Sequence, residues 1–171
     1  QLPPAWRVID TPGHAAHHVS FLRRCAGRRL CFGGEALGVI PGAGAASWFA
    51  DGRWGDGIRP ATPPRYVPEI GRESMRKLAA ADWDLFCAGH FGASSDRTLP
   101  ERALKQNLFW EETIAQALRD GLSEDETVEL LRREDPELAN LVAYTESAQS
   151  REAYFLGNSV RGFARFLGEN A

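Results

Sequence analysis

Thr11-Pro12-Gly13-His14-Ala15-Ala16-His17-His18 follows a short strand-like run, Trp6 to Ile9, and decides how the rest of this 171-residue chain is read. Two further clusters follow strand-like runs in the same way: Gly33-Gly34-Glu35 after Arg29 to Phe32, and Gly89-His90 after Leu85 to Ala88. Strand C-terminal ends are where open α/β folds place their sites. His14, Glu35 and His90 are all of metal-binding type, and three such side chains at three strand ends are hard to explain by packing. The first cluster starts ten residues into the chain, so ligands upstream of it would lie outside this sequence.

Val19 to Leu22 reads as a further strand, joined to Arg29–Phe32 through a Cys25-Ala26-Gly27-Arg28 turn. Gly38 to Pro68 is rich in Gly and Pro, with Trp48, Phe49, Trp54 and Tyr66 among them. A loop of this length is functional or packed on its own aromatics. Trp48, Trp54 and Tyr66 are therefore candidates for a pocket wall. Pro68 to Ala81 has helical spacing, with Ile70, Met75, Leu78 and Ala79 as its apolar stripe. Helix followed by the Leu85–Ala88 strand makes an α/β unit. Phe91 to Ser95 reads as a loop.

Beyond Pro100 the pattern is helical. Leu104, Leu108, Ala115 and Leu118 share one spacing, with Phe109 and Ile114 widening the face and Glu111 as its polar interruption, and Gly121 ends the segment. Ser123-Glu124-Asp125-Glu126 is a capping box that opens a second helix through Leu131. Pro136 interrupts, and Ser147 to Leu167 is the last helix, with Gly157 and Gly162 weakening it. These helices read as packing rather than chemistry. The domain reading is 1–98 for the strand-rich part and 99–171 for a helical extension packed on it or on a partner.

Apolar residues form 43% of the chain and charged residues 25%, an ordinary globular balance with a formal net charge of -3. No basic stripe marks a nucleic-acid surface, and no apolar run is long enough for a membrane span. Three widely spaced cysteines, Cys25, Cys31 and Cys87, make a poor disulfide framework, so reduced thiols and a cytoplasmic setting are expected. His17 and His18 are adjacent and cannot point the same way from a strand. His18 is expected to orient or cap the site against the following strand, and His17 to line the pocket.

The segments Thr11-Pro12-Gly13-His14 with His18, Phe32-Gly33-Gly34-Glu35-Ala36 and Ala88-Gly89-His90-Phe91-Gly92 resemble the C-terminal half of a metallo-beta-lactamase-fold hydrolase over residues 5 to 93. The resemblance implies half of a four-layer αβ/βα sandwich with a C-terminal helical extension. It implies metal-ligand roles for His14, Glu35 and His90, with Glu35 where the family usually has an aspartate that bridges two metals. It also implies one or two ions, zinc or alternatively iron or manganese, and a metal-bound hydroxide acting on an ester, thioester, lactam or phosphoester. The family's upstream HxHxDH motif has no counterpart here, so the chain is expected to be a fragment with little turnover on its own. Its partner would be a missing N-terminal half, a second subunit or another copy in a homodimer. The alternative is a non-catalytic interaction domain with vestigial ligands.

Overall fold

The computed structural model describes residues 6–40, 57–90 and 92–169. Five strands form one mixed sheet in the order β1 (Trp6–Asp10), β2 (Val19–Cys25), β3 (Arg28–Gly34), β4 (Leu85–Ala88) and β5 (Ala93–Ser94). β1 to β3 are antiparallel neighbours, β4 runs parallel to β3, and β5 turns back on β4. The β2–β3 connection is the two-residue turn Ala26-Gly27, both residues at positive φ, which matches the twist of a tight hairpin. β5 is a correction: Ala93-Ser94 pairs with Phe86 and Cys87 where a plain loop was expected. Two residues between loops carry no alternation that would reveal them.

The parallel β3–β4 step requires a crossover, which contains α1 (Pro68–Ala80). Four elements follow: α2 (Leu99–Arg119), α3 (Glu124–Glu134), a 3-10 segment (Pro136–Ala143) and α4 (Glu146–Glu169). Ser123 caps α3 in a full capping box with Glu126, as its sequence predicts. Pro136 opens the 3-10 segment rather than a gap, because Asp135 caps it by accepting from the Glu137 N–H.

The strand registers sort the sheet into two unlike faces. Leu22, Cys31 and Phe86 lie in one row and pack on Met75, Leu78, Trp83, Leu99 and Ala103. Val8, Phe21, Phe32 and Cys87 lie in the row of opposite parity. On that second face Val8 is 45% exposed and Phe32 38% exposed, beside the half-buried Trp6 and Phe21. The described residues thus form two layers, helices on one face of a sheet.

Two apolar stripes differ from expectation. In α1 the buried face is Gly71, Ser74, Met75 and Leu78, while Ile70 and Ala79 are exposed. In α2 the buried line is Ala103, Gln106, Asn107, Trp110, Ile114 and Ala117, while Leu108 and Leu118 are exposed. The reason is polar partnership. Gln106 donates to the Ile58 carbonyl and to Asp135, and Asn107 donates to the Tyr66 hydroxyl, so both amides are buried with their hydrogen bonds made. A hydrophobicity count rejects such positions and shifts the stripe.

A second core, Tyr66, Trp110, Ile114, Leu131, Leu138, Leu156 and Phe163, joins the helices. α2 serves both cores, the sheet core through Leu99 and Ala103 and the helical core through Trp110 and Ile114. Gly162 is needed rather than weakening, because a Cβ there would sit 2.7 Å from the Pro63 carbonyl oxygen. It lets α4 press against the segment that leads into α1.

Candidate functional site

The chain leaves β1 at Asp10 and re-enters the sheet at Val19, and Thr11 closes the intervening loop. Its N–H donates to the His18 carbonyl, and its fully buried hydroxyl shares hydrogen bonds with Ser20 and the His18 ring. This frame presents His14 at the end of β1. Glu35 stands at the end of β3, and His90 just beyond β4, where the Gly89 N–H donates to the Gly34 carbonyl. β1, β3 and β4 all run the same way, so three C-terminal ends share one edge.

The three side chains meet there. His14 Nε2 lies 2.5 Å from Glu35 Oε2, and His90 Nε2 lies 2.6 Å from Glu35 Oε1. The other nitrogen of His14, Nδ1, donates to the Ala61 carbonyl at 2.9 Å. That bond orients the ring and leaves Nε2 as the working atom. The His14 hydrogen bond holds the Glu35 carboxyl down to about 2, and the same bond raises the His14 pKa. A carboxylate flanked by two imidazoles keeps its charge.

His18 touches the site indirectly. Its Nδ1 is 2.9 Å from the Thr11 hydroxyl, and its ring stands edge-on to His14 with centroids 6.3 Å apart. Burial lowers its pKa. Gly34, at φ +55°, makes room for it: a Cβ there would fall 2.6 Å from His18 Nε2. His17 is exposed and lines neither of the cavities that contain His14, contrary to the pocket role expected for it. Tyr66 is buried in the helical core against Phe163 and accepts from Asn107, and it borders a water-sized space beside His14 and a separate cavity beside Arg165. Trp48 and Trp54 lie outside the described residues.

Two imidazole nitrogens and a carboxylate are a donor set that suits zinc, iron or manganese. Here the donors are paired with one another. Among the described residues no group of three or more His, Cys, Asp or Glu side chains takes up a metal-holding arrangement. The chemistry of the donors fits a metal, then, while the donor atoms do not converge on a common point.

Beside this cluster opens a cleft of about 480 Å³. Its floor is His14, Glu35 and His90, and its far wall is α4, through Arg151, Phe155 and Arg161. This corrects the reading of the helices as packing alone. Sequence reasoning missed the α4 wall and Arg59, the buried residue between wall and floor. The available signal was the spacing of Arg151, Phe155 and Asn158, i, i+4 and i+7, which puts one aromatic and two polar side chains on one line of the helix.

The described residues thus combine an α/β sheet, helices on one of its faces and a His–Glu–His cluster at its strand ends. No family model and no curated protein matches the chain significantly. Solved structures do. A metallo-beta-lactamase family protein of Thermus thermophilus superposes with a TM-score of 0.54 at 22% identity, covering 96% of this chain and 44% of that one. An archaeal metallo-beta-lactamase superfamily protein of Sulfolobus tokodaii aligns at 26% identity over 59% of this chain and 32% of that one, with a TM-score of 0.42. The likeness to the Thermus protein shows a metallo-beta-lactamase-like fold. The chain spans less than half the length of either solved structure. No helix among the described residues is long and apolar enough to cross a membrane.

Proposed function

We propose that this chain supplies one side of a metal-dependent hydrolase centre, with His14, Glu35 and His90 as its ligands and a small-molecule ester, thioester, lactam or phosphoester as substrate. The observation that carries the reading is the meeting of two imidazoles on one carboxylate at three strand ends. With His14, Glu35 and His90 holding it, a zinc ion or similar metal would lower the pKa of a water and polarise the bond to be cleaved. The chain's own residues orient and confine. Ala61 fixes the His14 ring, His18 and Thr11 hold its loop, and α4 shapes the cleft. Glu35, between the two rings, carries the negative charge that offsets a cation.

The remaining ligands are assigned to a second polypeptide segment, either the other half of the sandwich or a second copy of the chain. What supports this is the half-exposed apolar row Val8, Phe21 and Phe32 on the sheet face that no helix covers among the described residues. A sheet face of this kind is stable when packed on another layer.

The test is calorimetric titration of the metal-free chain with zinc. The expected result is weak uptake, with a dissociation constant of about 1 μM or above, weakened at least tenfold in both His14→Ala and His90→Ala and unchanged in His17→Ala. Equal uptake by wild type and both variants would refute the assignment and favour an interaction domain. High turnover by the isolated chain would refute the need for a second segment.

A further inference from the structure

The segment that carries Ala61 is tied down carbonyl by carbonyl. The Ile58 carbonyl accepts from Gln106 of α2, the Arg59 carbonyl from the Val39 N–H, the Pro60 carbonyl from the Ser159 hydroxyl at 2.7 Å, and the Ala61 carbonyl from His14 Nδ1 at 2.9 Å. Ser159 lies on α4 and is 2% exposed. It is bonded to this segment in both directions. Its hydroxyl donates to Pro60, and its backbone carbonyl accepts from the Thr62 hydroxyl at 2.9 Å. These bonds fall on the residues immediately before and after Ala61. Gly162, further along the same helix, lets it approach the Pro63 carbonyl. Ala61 has only a methyl side chain, so the direction of its carbonyl is inherited from its neighbours.

A carbonyl oxygen can only accept, so the ring nitrogen that faces Ala61 must carry a proton. The direction of that carbonyl therefore decides which His14 nitrogen is left for the site and how the ring is turned toward Glu35. Bonds from one buried residue hold the planar peptide units on either side of it. Both bonds are buried, where leaving a partner unmade costs more than it does at the surface. We propose that Ser159, together with Thr62, is a positioning residue for His14, and that the helical extension sets this ring through the Ala61 carbonyl. The orientation of the ring stands on these bonds alone. Its consequence for metal uptake rests on the hydrolase reading.

The test follows the His14 ring by long-range proton–nitrogen NMR in the metal-free 171-residue chain at one fixed pH, with His14→Ala assigning the resonance. In the wild type Nδ1 should hold a proton protected from solvent exchange. Ser159→Ala and Thr62→Val should speed that exchange about tenfold, whereas Thr62→Ser, which keeps the hydroxyl, should stay within about twofold of wild type. Should Ser159→Ala not fold, Thr62→Val carries the same test. Leu131→Ala, in the helical core, separates positioning from general loss of stability: it should lower the melting midpoint and leave the ring signal unchanged. A freely exchanging Nδ1 proton in the wild type, unchanged exchange in the folded variants, or equal acceleration in Leu131→Ala overturns the proposal. Zinc titration extends the test. Ser159→Ala should weaken uptake about fivefold, and should cause no further loss in the His14→Ala background. A further loss there would place the effect of Ser159 elsewhere and overturns the proposal. Zinc uptake indifferent to His14 would remove the hydrolase reading and leave the ring measurement to decide the role of Ser159 by itself.

Discussion

Replacing Glu152 by Gln should loosen the junction between α4 and the candidate site. Arg59 and Glu152 have side chains only 7% and 2% exposed, and their buried ion pair links α4 to the segment that carries Ala61. The Arg59 backbone is in turn paired with Val39 on both sides, N to O at 2.9 Å each. Removing one partner of a buried pair typically costs about 3–5 kcal/mol, because the other charge stays buried without compensation. Gln keeps one acceptor, so a value near the lower end, about 3 kcal/mol, is expected. For a chain of this size each kcal/mol moves the melting midpoint by about 2–4 °C, so the shift should be about 6–12 °C. Thermal and urea unfolding followed by circular dichroism measure it. Glu169→Gln, which removes the exposed partner of Arg165, is the control and should change stability by less than about 0.5 kcal/mol. A second readout is amide hydrogen exchange at Val39 and Arg59, which should accelerate in Glu152→Gln only. If both variants unfold like the wild type, the pair does not anchor α4 and the cleft wall is not held as argued.

Burial pushes the Cys31 thiol up to about 12 and the Tyr66 hydroxyl up to about 12. Both folded values lie above the unfolded ones, so their contribution is intact below pH 9 and is lost as pH rises from there toward 12. A pH series of urea midpoints should therefore fall across that window, and a thiol reagent at about pH 8, near the ordinary thiol pKa, should label the exposed Cys25 while sparing Cys31 until unfolding. Asp135→Ala should destabilise by about 3–5 kcal/mol, because the Trp110 and Gln106 side chains and the Glu137 N–H all donate to that buried carboxylate. A midpoint within about 1 kcal/mol of wild type would show those donors rehydrate at little cost. Gly34→Ala should cost about 2–3 kcal/mol from its left-handed backbone and the His18 ring it would strike. Combining it with His18→Ala should recover part of that loss, and strict additivity in the double-mutant cycle would refute the contact.

The candidate centre is largely legible in the residue order. Each strand ends in a turn-forming glycine beside one chemically distinct residue: Gly13 before His14, Gly34 before Glu35 and Gly89 before His90. Local rules suffice for such signals, as they do for the Ala26-Gly27 hairpin and the Ser123 capping box. Contacts between distant residues are not legible. Nothing near Gln106 and Asn107 in the chain marks them as buried; their partners Asp135, Ile58 and Tyr66 are all distant in sequence. Arg59 and Glu152, 93 positions apart, carry no mark of pairing.

Residue order alone determined β1 to β4, most of the helix bounds and the three strand-end residues, because spacing and turn chemistry act within a few positions. Tertiary structure alone decided that Glu35 reaches both imidazoles, that Ala61 orients His14, and that α4 walls the cleft. Those outcomes depend on side-chain direction after packing, which is set by the registers of the sheet and by the close approach at Gly162, neither of which is encoded locally.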